Sequence, residues 1–266
     1  MDFATMMNLE SHGPDTFVGI GPKYPWGGLY GGQIVAQALR AATLTVEPEF
    51  RVHSLHAYFI RRGDHAEPIR FEVDRIRNGR SFVTRSVIAR QSIGAILNMS
   101  ASFQVDEPAP DMQIAVPPDV ALPEPQESQR WMSMFERYFA PRGAGKGRAV
   151  GWLRMLDEVG DDPALHACAL AYMSDDLPTD AVVALQYPDR KPGEWDGEHP
   201  FWTASLDHAV WFHRPVRADE WQLQDFTCHG LISSRGLSVG HVFDTNGVHL
   251  ATISQEVLLR ELRPEA

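Results

Sequence analysis

Two segments of this chain carry apolar residues at helical spacing, and the runs around them read as strands. In the first segment Ile34/Val35, Ala38/Leu39 and Ala42 recur one turn apart, which predicts an amphipathic helix over 31–42. Gly27, Gly28, Gly31 and Gly32 stand just before it and permit close backbone approach. A short strand-like run covers 16–20. Four more follow at 53–60, 69–77, 81–90 and 95–105, with Asn78-Gly79 as a hairpin turn. The second helical segment starts at Asp162-Pro163, an N-cap and a first helical residue. It carries Leu165, Cys168, Ala169 and Tyr172 on one stripe and ends near Ser174-Asp175. A further helix is expected over 131–139. Strands are expected over 204–213, 221–230, 237–243 and 248–259, with Thr245-Asn246-Gly247 as the turn before the last.

The chain therefore reads twice as one helix followed by antiparallel strands. His56-Ala57-Tyr58-Phe59-Ile60-Arg61-Arg62 is similar to His208-Ala209-Val210-Trp211-Phe212-His213-Arg214, and Gly79-Arg80-Ser81-Phe82 to Ser234-Arg235-Gly236-Leu237. Ser102-Phe103-Gln104 is similar to Ile253-Ser254-Gln255, and the offset is about 150 residues each time. Three matches in one order predict a duplicated module of α+β class, each with a sheet packed around its helix. Between the copies, 106–126 is rich in proline and acid and reads as an extended linker. The expected division is 1–105, a linker over 106–127, and 128–266.

Composition narrows the function classes. With 44% apolar and 22% charged residues in 266, the chain can bury a core. Its formal charge of -11 argues against a general binder of nucleic acid or anionic membrane, so an anionic substrate has to be met by a local arginine cluster. Two distant cysteines form neither a disulfide framework nor a Cys-x-x-Cys pair. The first residues lack a basic stretch leading into an apolar one, and no apolar run approaches the roughly 20 residues of a membrane helix. A cytoplasmic protein without metal or cofactor is the expectation.

Two motifs invite a catalytic reading and fail on context. Gly236-Leu237-Ser238-Val239-Gly240 matches a nucleophile elbow, which needs a strand before the serine and a helix after it. Here His241-Val242-Phe243 continues into a turn and another strand, which puts Ser238 in mid-strand. Asp207-His208 has the look of a dyad, but neighbours on one strand point to opposite faces and cannot bond to each other, so a structural role is expected for both. The zinc, P-loop and dinucleotide fingerprints are missing.

Taken together, several segments resemble the acyl-CoA thioesterase II family, the bacterial TesB type with peroxisomal relatives. They are Gly31 through Leu39, Val52 through Arg61, Arg77 through Phe82, Ser205-Leu206-Asp207-His208 with Trp211 through Arg214, Ser233 through Gly236, and Ser254-Gln255-Glu256. The resemblance implies a double hotdog, two fused units of a long helix wrapped by an antiparallel sheet, in agreement with the duplication. It also implies hydrolysis of acyl-CoA to free acid and CoA, with CoA thioester as the partner and further self-association possible. Catalysis in that family is assigned to an Asp, a Ser or Thr, and a Gln of the second unit. By local motif these are Asp175 after Tyr172-Met173-Ser174, Ser205 two before the Asp-His pair, and Gln255 before Glu256. Asp176-Leu177-Pro178 departs from the apolar run usual there.

The implied chemistry is self-consistent, because a thiolate of pKa about 8.5 leaves without strong acid help and no covalent nucleophile is required. Asp175 would act on a water that Ser205 and Gln255 hold. For the charged CoA moiety, Arg61, Arg80, Arg214 and Arg235 recur at matching points of the two copies, joined by Arg62. A glycine-rich helix start such as Gly32 suits backbone contact with developing negative charge. Three rival readings are a silent acyl-CoA-binding protein, a hotdog hydratase or dehydratase, and an esterase using Ser238. The hydratase needs a histidine near the helix, and 176–181 contains none.

Overall fold

The computed structural model describes residues 1–124, 130, 133–140, 146–190 and 200–262. The chain opens with α1 (Phe3–Met7), β1 (Glu10–Ser11) and β2 (Thr16–Gly19), then α2 (Gly31–Thr43). A meander follows: β3 (Phe50–Phe59), β4 (Ile69–Asn78), β5 (Phe82–Gln91) and β6 (Gly94–Val105). Next come β7 (Phe135–Phe139), β8 (Arg148–Met155), α3 (Pro163–Met173) and α4 (Leu177–Gln186). The chain closes with β9 (Phe201–Ser205), β10 (Asp207–Phe212), β11 (Gln222–Ile232), β12 (Arg235–Phe243) and β13 (His249–Glu261).

Among the described residues the strands join into a 13-stranded sheet in the order β1-β2-β4-β5-β6-β3-β10-β13-β12-β11-β8-β7, with β9 added on β13. The two meanders meet at β3 and β10, which pair antiparallel from Asp207↔Tyr58 to Trp211↔Ser54. Helices α2 and α3 pack on each other inside this sheet. Small residues permit that approach: Ala36, Ala38, Ala41 and Ala42 on α2, and Ala167, Ala169 and Ala171 on α3, are all buried. Helix α3 is buried from His166 to Met173, the pattern of a helix surrounded on every side.

Two sequence expectations are corrected, and two elements are new. Residues 135–139, expected as helix, form β7, while 131 and 132 lie outside the described residues. Paired against β8, Phe135 and Arg137 face inward, and Glu136 meets Arg154 at 2.6 Å on the other side. So short an aromatic run is decided by its sheet neighbour rather than by its period. The run 204–213 is two strands, because the Asp207 carboxylate accepts the Glu256 N–H (2.7 Å) and interrupts the ladder beside Leu206. Helix α4 and strand β8 were not anticipated.

Residues 106–124 have no helix or strand. Their later part lies on the outer face of the second meander. Ala115 and Val120 pack on Trp152, Leu223 and Phe243, and Trp152 donates to the Ala121 carbonyl at 2.9 Å. No helix of the described residues is long and apolar enough to cross a membrane.

Candidate active site

The side chains expected to act together do meet, at the junction of α3 and α4. Asp162 caps the start of α3 by accepting from Ala164 N–H (3.0 Å), with Pro163 behind it. The helix ends at Ser174, whose N–H donates to Leu170 O at 2.9 Å. The chain turns there and leads into α4, which leaves Asp175 at the bend, 6% exposed. Ser205, the last residue of β9, donates its hydroxyl to Asp175 Oδ1 at 2.8 Å. Gln255, fully buried in β13, donates its amide to Ser205 Oγ at 2.8 Å.

A fourth partner comes from the other half of the chain. The Gly32 N–H donates to Asp175 Oδ2 at 2.9 Å. Helix α2 has no side-chain N-cap of its own, since Tyr30 makes no capping bond, and Asp175 takes that place from 143 residues away. The fit requires glycines. A Cβ on Gly31 would stand 2.5 Å from Asp175 Oδ2, and one on Gly32 would stand 2.2 Å from the Tyr172 carbonyl. The Gly32 N–H, expected to face substrate, is thus occupied by the carboxylate.

The electrostatics of Asp175 set burial against hydrogen bonding. Burial opposes the charge, while donors on Ser205, Gln255 and Gly32 favour it and the neighbouring Asp176 opposes it again. Burial dominates, and the carboxyl is pushed up from 3.8 to about 6. A carboxylate there is largely ionised at neutral pH and more basic than an ordinary aspartate. Asp176 is itself held by Arg137, which donates to both of its oxygens at 2.6 and 2.7 Å in a buried pair. The α2 side of the site is walled by aromatic rings. Tyr30 meets Tyr172 edge-on at 5.2 Å, and Tyr24 stacks on Trp26 at 5.2 Å.

Two residues given structural roles by the sequence behave differently from each other. Asp207 does serve the backbone, as described above. His208 points inward, 1% exposed, with Nδ1 2.5 Å from Gln255 Oε1 and Nε2 2.8 Å from Ser174 Oγ. It belongs to the hydrogen-bonded chain that ends at Asp175. A single sequence holds no signal for this, because it depends on β10 lying beside β13. Ser238 lies within β12, fully buried, with neither histidine nor acid bonded to its hydroxyl, as expected for a mid-strand serine.

The four arginines are not brought into one patch. Arg61 follows β3 at the Tyr58–Asp207 end, near the site, and donates to the Ala95 carbonyl at 2.7 Å. Arg62 next to it donates to Trp26 O at 2.6 Å. Arg235 begins β12 opposite Leu258, which pairs Ala204 of β9, so it shares that end, but it donates to Glu256 at 2.9 Å. Arg80 sits in the β4–β5 turn and Arg214 beyond the far end of β10, both toward the start of β3 and roughly 20–30 Å from Arg61 at the rise of a strand. Arg214 is engaged by Asp111 and donates to His249 O. Among the described residues no group of three or more His, Cys, Asp or Glu is arranged to hold a metal ion.

Comparison with known proteins gives concordant results. A family model described as the acyl-CoA thioesterase N-terminal domain matches residues 21–104, and one described as the C-terminal domain matches 109–259. The human protein named acyl-coenzyme A thioesterase 8 is 34% identical over 288 residues, covering 96% of this chain and 88% of the human one. The crystal structure of an acyl-CoA thioesterase II, TesB2 from Mycobacterium marinum, superposes with a TM-score of 0.85 at 34% identity, covering 99% of each chain. A protein from Alicyclobacillus acidocaldarius described as having a hot dog fold superposes at 0.79 with 20% identity over 98% of each chain, a likeness of fold alone.

Proposed function

We propose, for a chain that belongs to the acyl-CoA thioesterase II family and therefore hydrolyses acyl-CoA thioesters, that Asp175 is the general base and that Ser205 and Gln255 hold the attacking water beside it. One observation carries this. A buried carboxyl with a raised pKa of about 6 is hydrogen-bonded to a serine and, through it, to a glutamine, at a helix N-terminus. In the proposed step Asp175 takes a proton from water as the oxygen attacks the thioester carbonyl carbon. The carbonyl oxygen gains the negative charge, which the start of α2 favours through its first-turn N–H groups other than that of Gly32, already given to Asp175. Collapse of the intermediate breaks the C–S bond and expels the CoA thiolate, and the proton on Asp175 can pass to it.

The same reading extends to architecture. The chain is taken as two fused hotdog units, 1–105 and 128–266, with 106–127 as the connection. Support comes from the separate matches of the two halves and from the absence of helix or strand over 106–124. One site per chain is expected. Thr45 follows the end of α2 by two residues, as Asp175 follows α3, and its hydroxyl accepts from the buried Arg85 at 2.8 Å instead of holding an acid. Arg61 and Arg62 are assigned to the anionic part of CoA because they share the end of the sheet that holds Asp175. The decisive experiment is acyl-CoA turnover by Asp175→Asn. A loss of kcat of about 10²–10⁴-fold in a folded protein is expected, and near-wild-type turnover would sink the assignment.

A further inference from the structure

We infer that His208 is a positioning residue: it fixes which way the Gln255 amide faces, and so directs the Ser205 proton onto Asp175. This rests on the proposed roles of Asp175, Ser205 and Gln255.

An amide can be turned by half a rotation at little cost in shape, but its two ends differ in hydrogen bonding. In the observed orientation the amide nitrogen donates to Ser205 Oγ, so the one hydroxyl proton of Ser205 goes to Asp175 Oδ1. That arrangement needs Asp175 as an acceptor, which is its base form. With the amide turned over, a carbonyl oxygen would face Ser205 and compete with Asp175 for that proton. The bond that selects between the two lies at the other end of the amide. Gln255 Oε1 can only accept, so His208 Nδ1 must carry the proton across their 2.5 Å contact.

His208 is itself held in that tautomer. Burial pushes its pKa down to about 4, so the ring is neutral and Nε2 has a lone pair. Ser174 Oγ is within donating distance of the Ala171 carbonyl (3.0 Å) and closer to Nε2 (2.8 Å); with Nδ1 protonated toward Gln255, the Nε2 lone pair faces the Ser174 hydroxyl and competes with that carbonyl for its proton. With that proton given to the ring, donation runs in one direction, from Ser174 to His208 to Gln255 to Ser205 to Asp175. The first two links are buried and the last two partly buried, and the attacking water meets the chain only beyond His208. His208 acts only through Gln255.

The test compares kcat and KM for an acyl-CoA in His208→Leu, His208→Asn, Gln255→Ala and the double variant His208→Leu/Gln255→Ala. Thermal unfolding of each checks the fold. Leucine removes the donor, and kcat should fall by about ten- to a hundredfold with KM within about twofold. Asparagine keeps an N–H close to the position of Nδ1, and should restore kcat to within about threefold of the wild type. In the Gln255→Ala background, where nothing remains to orient, His208→Leu should cost less than about twofold. The proposal is overturned by wild-type kcat in His208→Leu, by an asparagine variant as slow as the leucine one, or by a full penalty in the Gln255→Ala background. If the leucine variant does not fold, Ser174→Ala replaces it. Loss of the group that sets the tautomer should lower kcat severalfold at unchanged KM, and wild-type kcat there overturns the proposal as well. A Gln255→Ala enzyme with wild-type kcat would overturn the reading of the site itself, and this proposal with it. A slow Gln255→Ala enzyme beside indifferent His208 variants would overturn this proposal alone.

Discussion

Replacing Asp175 by asparagine should change stability in a way that depends on pH, and the size follows from its burial. Lifting a carboxyl from 3.8 to about 6 corresponds to about 3 kcal/mol between its protonation states. The folded protein binds this proton more tightly than the unfolded chain does. Protonation therefore stabilises the fold; that stability is complete below pH 3.8 and is lost as pH rises through about 6. Between about pH 7.5 and about pH 4.5 the wild type should gain about 2 kcal/mol relative to Asp175→Asn, which cannot titrate. For a chain of this size that is about 4–8 °C in Tm. Any hydrogen bond lost in the asparagine variant is nearly constant with pH and drops out of this difference. The assay is thermal unfolding of both proteins at the two pH values. Acyl-CoA hydrolysis by the wild type gives a second readout, since kcat/KM should fall about tenfold per pH unit below about pH 6. A stability difference that stays flat with pH, with an acid limb near 4, would refute a buried base at this position.

Ser238→Ala should leave kcat unchanged and keep or raise Tm, because the hydroxyl is buried without a partner; serine-dependent loss of activity would restore the esterase reading. Gly32→Ala should be strongly destabilised, since its Cβ would meet the Tyr172 carbonyl at 2.2 Å, and a wild-type Tm would show that the α2–α3 contact is looser than described. Arg61→Ala should raise KM for acyl-CoA and weaken its salt dependence while Arg214→Ala does neither, and equal effects of the two would return Arg214 to the binding surface.

What could be read from the sequence, and what could not, divides along physical lines. Helices α2 and α3 were legible because their stripes and the Asp162-Pro163 cap are local signals, and the meander was legible through its alternation and its Asn-Gly turn. The convergence of Asp175, Ser205 and Gln255 was expected from a resemblance to known enzymes, since residues separated by a bend, a strand end and a neighbouring strand share no local pattern. Strand β7 was misread because Phe135 to Phe139 is too short to show a period. Helix α4 was missed because Asp176-Leu177-Pro178 was weighed only as a departure from an apolar run, although proline suits a first turn. The arginines misled by symmetry. Points that match in sequence lie at opposite ends of the antiparallel β3–β10 pair, so Arg61 and Arg214 are driven apart by the relationship that made them look alike. The role of His208 needed the register of strands far apart in sequence.

The bond from Gly32 to Asp175 has a kinetic consequence. It spans 143 residues, so it closes one of the longer loops in the molecule. Loops of that length form late, after each meander has gathered its own local contacts. During refolding, hydrolytic activity should therefore return behind the far-ultraviolet signal of the sheet. A chain whose halves have each folded but have not docked would be well ordered and inert. Turnover in this enzyme is in that sense a report on docking, and a cut in the connection between the halves would make it a detector of whether two fragments have found each other.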